Sequence, residues 1–250
     1  MQGKDIIASA QTGTGKTAAF LLPLIHKITS ETHPADDIVS LVIVPTRELA
    51  IQIAQHLEGL SYFTSVSSIA VYGGGDGNAF VQEKKALSHG ADVVICTPGK
   101  MMSHIKMGYV KLAGLKYLIL DEADRMLDMG FVHDVKRIIT KLPSKRQTLF
   151  FSATMPAEIQ SLANSILTHP KKVEVTPVSS TAETINQSLF FVERQNKKML
   201  LTHILADKNI ETALVFTRTK HGADKVVKDL VRAGISAEAI HGNKSQNARQ

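Results

Sequence analysis

The sequence holds a single cysteine, Cys96, which rules out a disulfide framework and a cysteine-based zinc site and leaves that thiol as core filling within a strand. It has no apolar run of membrane-spanning length, and the N-terminal MQGKDII lacks the pattern of a signal peptide. Low-complexity tracts and short-period repeats are missing too, and the ten histidines show no metal-ligand spacing. These absences set aside a disulfide scaffold, a helical membrane protein and a histidine-built metal centre, and they favour a cytoplasmic protein. What is present is 250 residues, 44% hydrophobic and 21% charged, enough to bury one full core and part of another. A formal net charge of +6 and a pI near 9.3 favour a polyanionic partner, a weak signal until a motif stands beside it.

Apolar runs at 5–8, 39–44, 66–71, 91–96, 116–120, 147–151 and 172–175 alternate with helical segments. That alternation predicts an α/β fold with a doubly wound parallel sheet and right-handed crossovers. Residues 176–184 (TPVSSTAET) are polar, contain Pro177, carry no periodicity and read as a linker. Strands expected near 185–192, 212–217 and 236–240, with helices between them, would open a second, similar lobe. The expected division is therefore a first lobe at 1–175, a linker at 176–184 and a partial second lobe at 185–250.

The chemistry concentrates at two places. The first is ASAQTGTGKT at 8–17: a short strand, a loop in which Gly13 and Gly15 permit a tight backbone, and a helix from Thr17 onward. Backbone N–H groups along Ala10, Gln11, Thr12, Gly13, Thr14, Gly15, Lys16 and Thr17 would surround the phosphates of a nucleoside triphosphate at the positive end of that helix. Lys16 would reach the β and γ oxygens, and Thr17 would hold Mg²⁺. Ala10 stands where the motif usually has glycine. The second place is the apolar run 117–120, closed by Asp121-Glu122-Ala123-Asp124, which a core strand would deliver to the carboxyl edge of the sheet. Asp121 suits Mg²⁺, through water, and Glu122 suits proton acceptance from an attacking water or its orientation. An acidic first helical turn would give the same letters without a function, but the phosphate loop supplies the missing reactant.

With PTRELA at 45–50, glycines at 73–75, TPGK at 97–100, SAT at 152–154, LVFTRT at 214–219 and HGNKSQNAR at 241–249, the chain resembles the DEAD-box ATP-dependent RNA helicases. DEADRMLDMGF and VFTRTKHGA are similar to the wording of their bacterial RhlE-type members. The resemblance implies a RecA-like P-loop NTPase lobe followed by the start of a second RecA-like lobe, and coupling of ATP hydrolysis to RNA binding and local duplex unwinding. It implies that Ser152 and Thr154 communicate between the nucleotide and RNA through the DEAD acids, including Asp124. It also implies RNA-backbone contacts at Pro45, Thr46, Arg47, Gly74, Thr97, Pro98, Gly99 and Lys100 in the first lobe. In the second they would fall at Thr217, Arg218, Gly242, Gln246 and Arg249. Hydroxyls, glycine N–H groups and arginines hold phosphate and sugar without reading bases. Capping is the plainer reading of the hydroxyls: Thr46 and Thr97 could each cap a helix, and Ser152 and Thr154 could cap a helix at 156–168 with Pro156 in its first turn.

Two departures bear on these expectations. Lys100 stands where the family usually has arginine, keeping the charge without the bidentate fork. The family's adenine-reading aromatic and glutamine upstream of the phosphate loop, and its later HRxGRxxR arginines, are not in this sequence, which therefore reads as a fragment truncated at both ends. At this length a non-catalytic, ATP-gated RNA-binding module is the alternative from another class. A DNA translocase of related architecture fits the motif wording less well.

Overall fold

The computed structural model describes residues 3–10, 13–34, 37–75, 77–174, 185–245 and 248–249. Gln11, Thr12, Gln246 and the linker expected at 176–184 lie outside the described residues. The chain divides into two compact units, Met1–Ser179 and Ser180–Gln250.

The first unit runs β1 (Ile6–Ser9), α1 (Lys16–Ser30), β2 (Ser40–Ile43), α2 (Arg47–Ser61), β3 (Ser68–Val71), α3 (Gly77–His89), β4 (Val93–Cys96), α4 (Pro98–Lys106), β5 (Tyr117–Leu120), α5 (Ala123–Asp128), α6 (Val132–Ile139), β6 (Gln147–Ser152), α7 (Ala157–Ile166) and β7 (Lys171–Glu174). The seven strands make one parallel sheet in the order β3-β4-β2-β5-β6-β1-β7. Every strand expected in the first lobe is present within two residues of its expected bounds.

Alternation of side chains along each strand feeds two cores, one per face. Leu41, Ile43, Val94, Leu118, Leu120 and Phe150 pack under Met101, Met126, Ile138 and Leu162 of α4 to α7. Val42, Val44, Ile95, Ile119 and Phe151 pack under Phe20, Leu24, Ile53 and Leu57 of α1 and α2. The inner strands β2, β4 and β5 are apolar on both faces because both faces are covered, whereas the edge strand β7 (KKVE) is exposed. Asp5, almost fully buried, pins the opposite end of the sheet: its two oxygens accept the N–H groups of Thr148 and Thr168, each at 2.7 Å.

The second unit holds α8 (Lys197–Leu205) and α9 (Lys220–Arg232). The strands expected near 185–192, 212–217 and 236–240 are not formed among the described residues. A strand exists through its ladder, and these apolar stretches lack one: Leu189 is 79% exposed, Phe216 88% and Ile240 62%. A second correction concerns α7, which Pro156 precedes as its N-cap and does not join.

Candidate functional site

Because all seven strands are parallel, every loop leaving a strand's carboxyl end lies along one edge, the usual ligand edge of such sheets. Reading across that edge gives Gly73–Gly75 after β3, Thr97–Lys100 after β4, Pro45–Arg47 after β2, Asp121–Asp124 after β5, Ser152–Thr154 after β6 and the loop from Ala10 after β1. Since β6 lies between β5 and β1, the SAT element stands between the acids and the phosphate-type loop. Motifs scattered over 145 residues of sequence become neighbours through strand order alone.

Gly13 (φ +87°) and Gly15 (φ +80°) take the left-handed conformation that L side chains avoid, which turns the loop back into α1. The Ala10 N–H donates to the Ser152 carbonyl at 3.2 Å, so alanine extends the β1–β6 ladder at the position where the motif usually has glycine. Lys16 Nζ donates to the Ala10 carbonyl at 2.9 Å and lies 4.0 Å from Asp121 Oδ1. Burial raises the Asp121 carboxyl above its ordinary range, with the Lys16 charge opposing and the Glu122 charge adding to the rise. Glu122, though not glycine, is left-handed at φ 53°, ψ 49°, a strain of about 1–3 kcal/mol at a site ringed by ionisable groups. Arg125 Nη1 donates to Glu122 Oε2 at 2.9 Å. Gly13, Gly15, Lys16, Thr17, Asp121 and Glu122 line one end of a cavity of about 600 Å³ that continues along Gln52, Gln55 and His56 of α2.

Asp124 is joined to the SAT element at several points. Thr154 donates to its Oδ2 through the backbone N–H at 2.8 Å and the hydroxyl at 2.9 Å. The Asp124 N–H donates to Ser152 Oγ at 3.2 Å, and Ser152 Oγ donates to the Thr154 carbonyl at 2.7 Å. Burial raises the Asp124 carboxyl, but the Thr154 and Ser152 hydrogen bonds outweigh it and hold the acid below its ordinary range. Neither hydroxyl caps α7.

The loops on the β2, β4 and β3 side divide differently. Thr46 is a true cap, accepting the Leu49 N–H at 3.2 Å, while Thr97 is the N-cap residue of α4 and makes no side-chain cap bond. Pro45 and Pro98 are buried and present no side chain to a ligand. Arg47 lies over the Tyr72 ring, 4.9 Å from its centroid, and donates to the Gly74 carbonyl at 3.2 Å, so two separately expected residues meet. Gly74 has φ +86°, which favours glycine, and a Cβ there would come within 2.9 Å of Arg47 Nη1, the movable end of a long side chain. Among the described residues Arg47 Nε is buried without a hydrogen-bond partner. Lys100 is engaged elsewhere: its Nζ sits 2.9 Å from Glu83 Oε2 of α3. Sequence reasoning missed Glu83, because an acid in an amphipathic helix reads as a solvated face until α4 is laid against it. It also missed Arg125, whose spacing of three from Glu122 on α5 was the available signal.

In the second unit Thr217 Oγ1 donates to the Thr219 carbonyl at 3.0 Å, and Thr219 caps α9 by accepting the Gly222 N–H at 3.0 Å. Arg218, Gly242 and Arg249 are exposed. His241, with Nε2 3.1 Å from Asp224 Oδ1, and Lys220, donating to Asn243 at 3.2 Å, tie residues 241–243 to α9.

A parallel sheet whose one edge gathers a glycine-bent loop with its lysine, two acids and an SAT turn defines a P-loop protein of the helicase class, and sequence comparison narrows the class. The model of the DEAD/DEAH box helicase family matches residues 1–162, and the chain belongs to that family. It is 41% identical over 249 residues to the ATP-dependent RNA helicase CshA of Listeria monocytogenes, and 41% identical over 251 residues to the RNA helicase CrhR of Synechocystis. Both alignments take in the whole chain but only 47% and 50% of those proteins, so the chain spans about half the length of the relatives it matches. The crystal structure of a DEAD box protein from the hyperthermophile Methanococcus jannaschii superimposes with a TM-score of 0.63 at 36% identity, covering 98% of this chain and 64% of that one.

Proposed function

We propose that the chain is the ATP-binding part, with the beginning of the next part, of an ATP-dependent RNA helicase that couples Mg-ATP binding and hydrolysis to RNA binding and local duplex unwinding. One observation carries this reading: Lys16, Asp121 and Glu122 converge on one cavity at the sheet edge, with the Lys16 ammonium 4.0 Å from the Asp121 carboxylate. Lys16 contacts the Ala10 carbonyl and Asp121, and the oxygens of a triphosphate are stronger, fully charged acceptors for the same ammonium. Residues 13–17 supply the N–H cradle, and the motif assigns Gln11 and Thr12, which lie outside the described residues, to ATP binding as well.

The oxygen donors Thr17 and Asp121 fit Mg²⁺, a hard cation that keeps much of its water, and a nearly buried carboxylate with a raised pKa gains from such a neighbour. When bound, the ion would neutralise phosphate charge. Glu122, strained toward the cavity, orients and deprotonates water; Arg125 holds its carboxylate in the resting chain. Asp124, Ser152 and Thr154 form the relay between the acids and the RNA side of the edge. Thr46, Arg47, Gly74, Thr97 and Gly99 face the RNA backbone, with the Arg47 guanidinium held over the Tyr72 ring and on the Gly74 carbonyl. Thr217, Arg218, Gly242, Gln246 and Arg249 of the second unit, taken by itself, have the RNA-backbone role that their motifs imply. DEADRMLDMGF and VFTRTKHGA support the RhlE-type subgroup, and the cytoplasm, which holds both ATP and RNA, is the compartment this activity needs.

Calorimetry of Mg-ATP binding tests the reading. The unaltered chain should bind, and Lys16→Ala should lose binding to below detection; equal affinity of the two proteins would sink the assignment of this loop to phosphate.

A further inference from the structure

Lys100 lies in the first turn of α4, directly after Thr97, Pro98 and Gly99, and its charge is already spent. Glu83 of α3, 5% exposed, takes the Lys100 ammonium at 2.9 Å and His104 Nε2 at 3.0 Å on the same carboxylate oxygen. His104 is fully buried; its ring stacks on Phe80 at 5.0 Å and 14°, and its Nδ1 meets the Tyr109 hydroxyl. Burial holds the imidazole pKa below its ordinary value, against the pull of Glu83, so the neutral ring donates from Nε2 to Glu83 and accepts at Nδ1 from Tyr109. The lysine stem lies along the same cluster, its Nζ 5.1 Å from the Phe80 centroid.

The placement of the lysine opposes the α4 dipole, since a cation near a helix N-terminus is unfavourable and screens the anion-attracting end. A nearly buried carboxylate, for its part, is tolerated only when paired and hydrogen-bonded. Each group therefore needs the other, and together they fix where the first turn of α4 sits on α3.

We infer that Lys100 is a positioning residue that acts through Glu83, locking Thr97, Pro98 and Gly99 into the geometry that receives an RNA backbone, and that it does not itself contact phosphate. This rests on the RNA reading of residues 97–99 given above.

The test uses the 250-residue chain with Lys100→Met, Lys100→Arg, Glu83→Gln and the double variant Lys100→Met/Glu83→Gln, in which no buried charge is left unpaired. Two quantities are read: amide hydrogen exchange across 97–106 without RNA, and affinity for a mixed-sequence single-stranded RNA 12-mer between 50 and 200 mM salt. Losing one charge-assisted hydrogen bond should speed exchange of 97–106 by about tenfold or more in Lys100→Met, with a smaller rise in Glu83→Gln and near-normal exchange in Lys100→Arg. Glu83→Gln removes a negative charge, which by long-range attraction alone would tighten RNA binding; the positioning role predicts weaker binding. Lys100→Met and the double variant should also bind less tightly while keeping the wild-type slope of log affinity against log salt. A slope smaller by about 0.7 in Lys100→Met, with Glu83→Gln binding as tightly as wild type, would show a direct phosphate contact and overturn the inference. Unchanged exchange in both single variants overturns it equally. Failure of the wild-type chain to bind RNA, with the exchange responses as expected, would instead remove the RNA reading of 97–99, and with it this role, while leaving the α3–α4 lock.

Discussion

Single side chains at the sheet edge carry two separable kinds of energy. Glu122 is held in a left-handed backbone, makes no cap bond and pairs with Arg125; in the proposed function its carboxylate serves the attacking water. Glu122→Gln should leave ATP affinity within a few-fold and lower turnover by roughly 10²–10⁴, the usual share of a general base; single-turnover hydrolysis with RNA present is the measurement. His104 is the opposite case: it is fully buried and bonds to Glu83 and Tyr109. The groups facing it are Glu83 with Lys100 on one side and Tyr109, itself beneath Lys84, on the other. Its folded pKa is lowered while the unfolded value stays near 6.5, so between the two the unfolded chain binds the extra proton and stability falls as pH drops below about 6.5. The contribution is at most about 1.4 kcal/mol per pH unit and levels off below the folded pKa. Urea unfolding at pH 7, 6 and 5 should show a steeper loss for the unaltered chain than for His104→Gln, which lacks the titrating group.

At the level of elements, the helices leaving the active edge differ in how their first turns are satisfied. Thr46 caps α2 with its hydroxyl, whereas Thr97 leaves its own uncommitted at the start of α4, which relies on Pro98 in the first turn and on the α3 lock. Thr46→Ala should therefore cost about 1 kcal/mol of stability, and Thr97→Ala a few tenths at most. Chemical denaturation of the two variants separates them. If Thr97 serves RNA, its alanine variant should bind RNA less tightly in spite of its normal stability, a combination that a capping residue would not give.

For the whole molecule, the contrast lies between the two units, each taken by itself. The first has a paired seven-stranded sheet with covered faces; in the second, among the described residues, Leu230 is the one apolar side chain that is buried. Leu214 and Phe191 there are 74% and 93% exposed, and the extended stretches have no ladder to protect their N–H groups. Little buried apolar area leaves little to offset chain entropy. Hydrogen exchange by mass spectrometry should find β2, β4 and β5 protected for hours, while 185–192, 212–217 and 236–240 exchange within seconds. Slow exchange in those three segments would mean that they do pair in solution.

The sequence by itself determined the strand sites of the first unit, since runs apolar on both faces, such as Leu41 to Val44 and Leu118 to Leu120, have few alternatives to a covered parallel sheet. It also determined the phosphate-type loop and the DEAD acids, because their chemistry is local: glycines that must turn, a lysine and two carboxylates at fixed spacing. It did not determine what meets what. Ser152 and Thr154 could equally have capped a helix; only the position of β6 between β5 and β1 brings them to Asp124. The sequence offers Lys100 as an RNA-backbone cation and gives no sign of Glu83, which the packing of α4 on α3 brings to it. The extended stretches of the second unit have strand-like letters too, but a strand needs a partner, and partnership is a property of tertiary structure that no run of residues encodes alone.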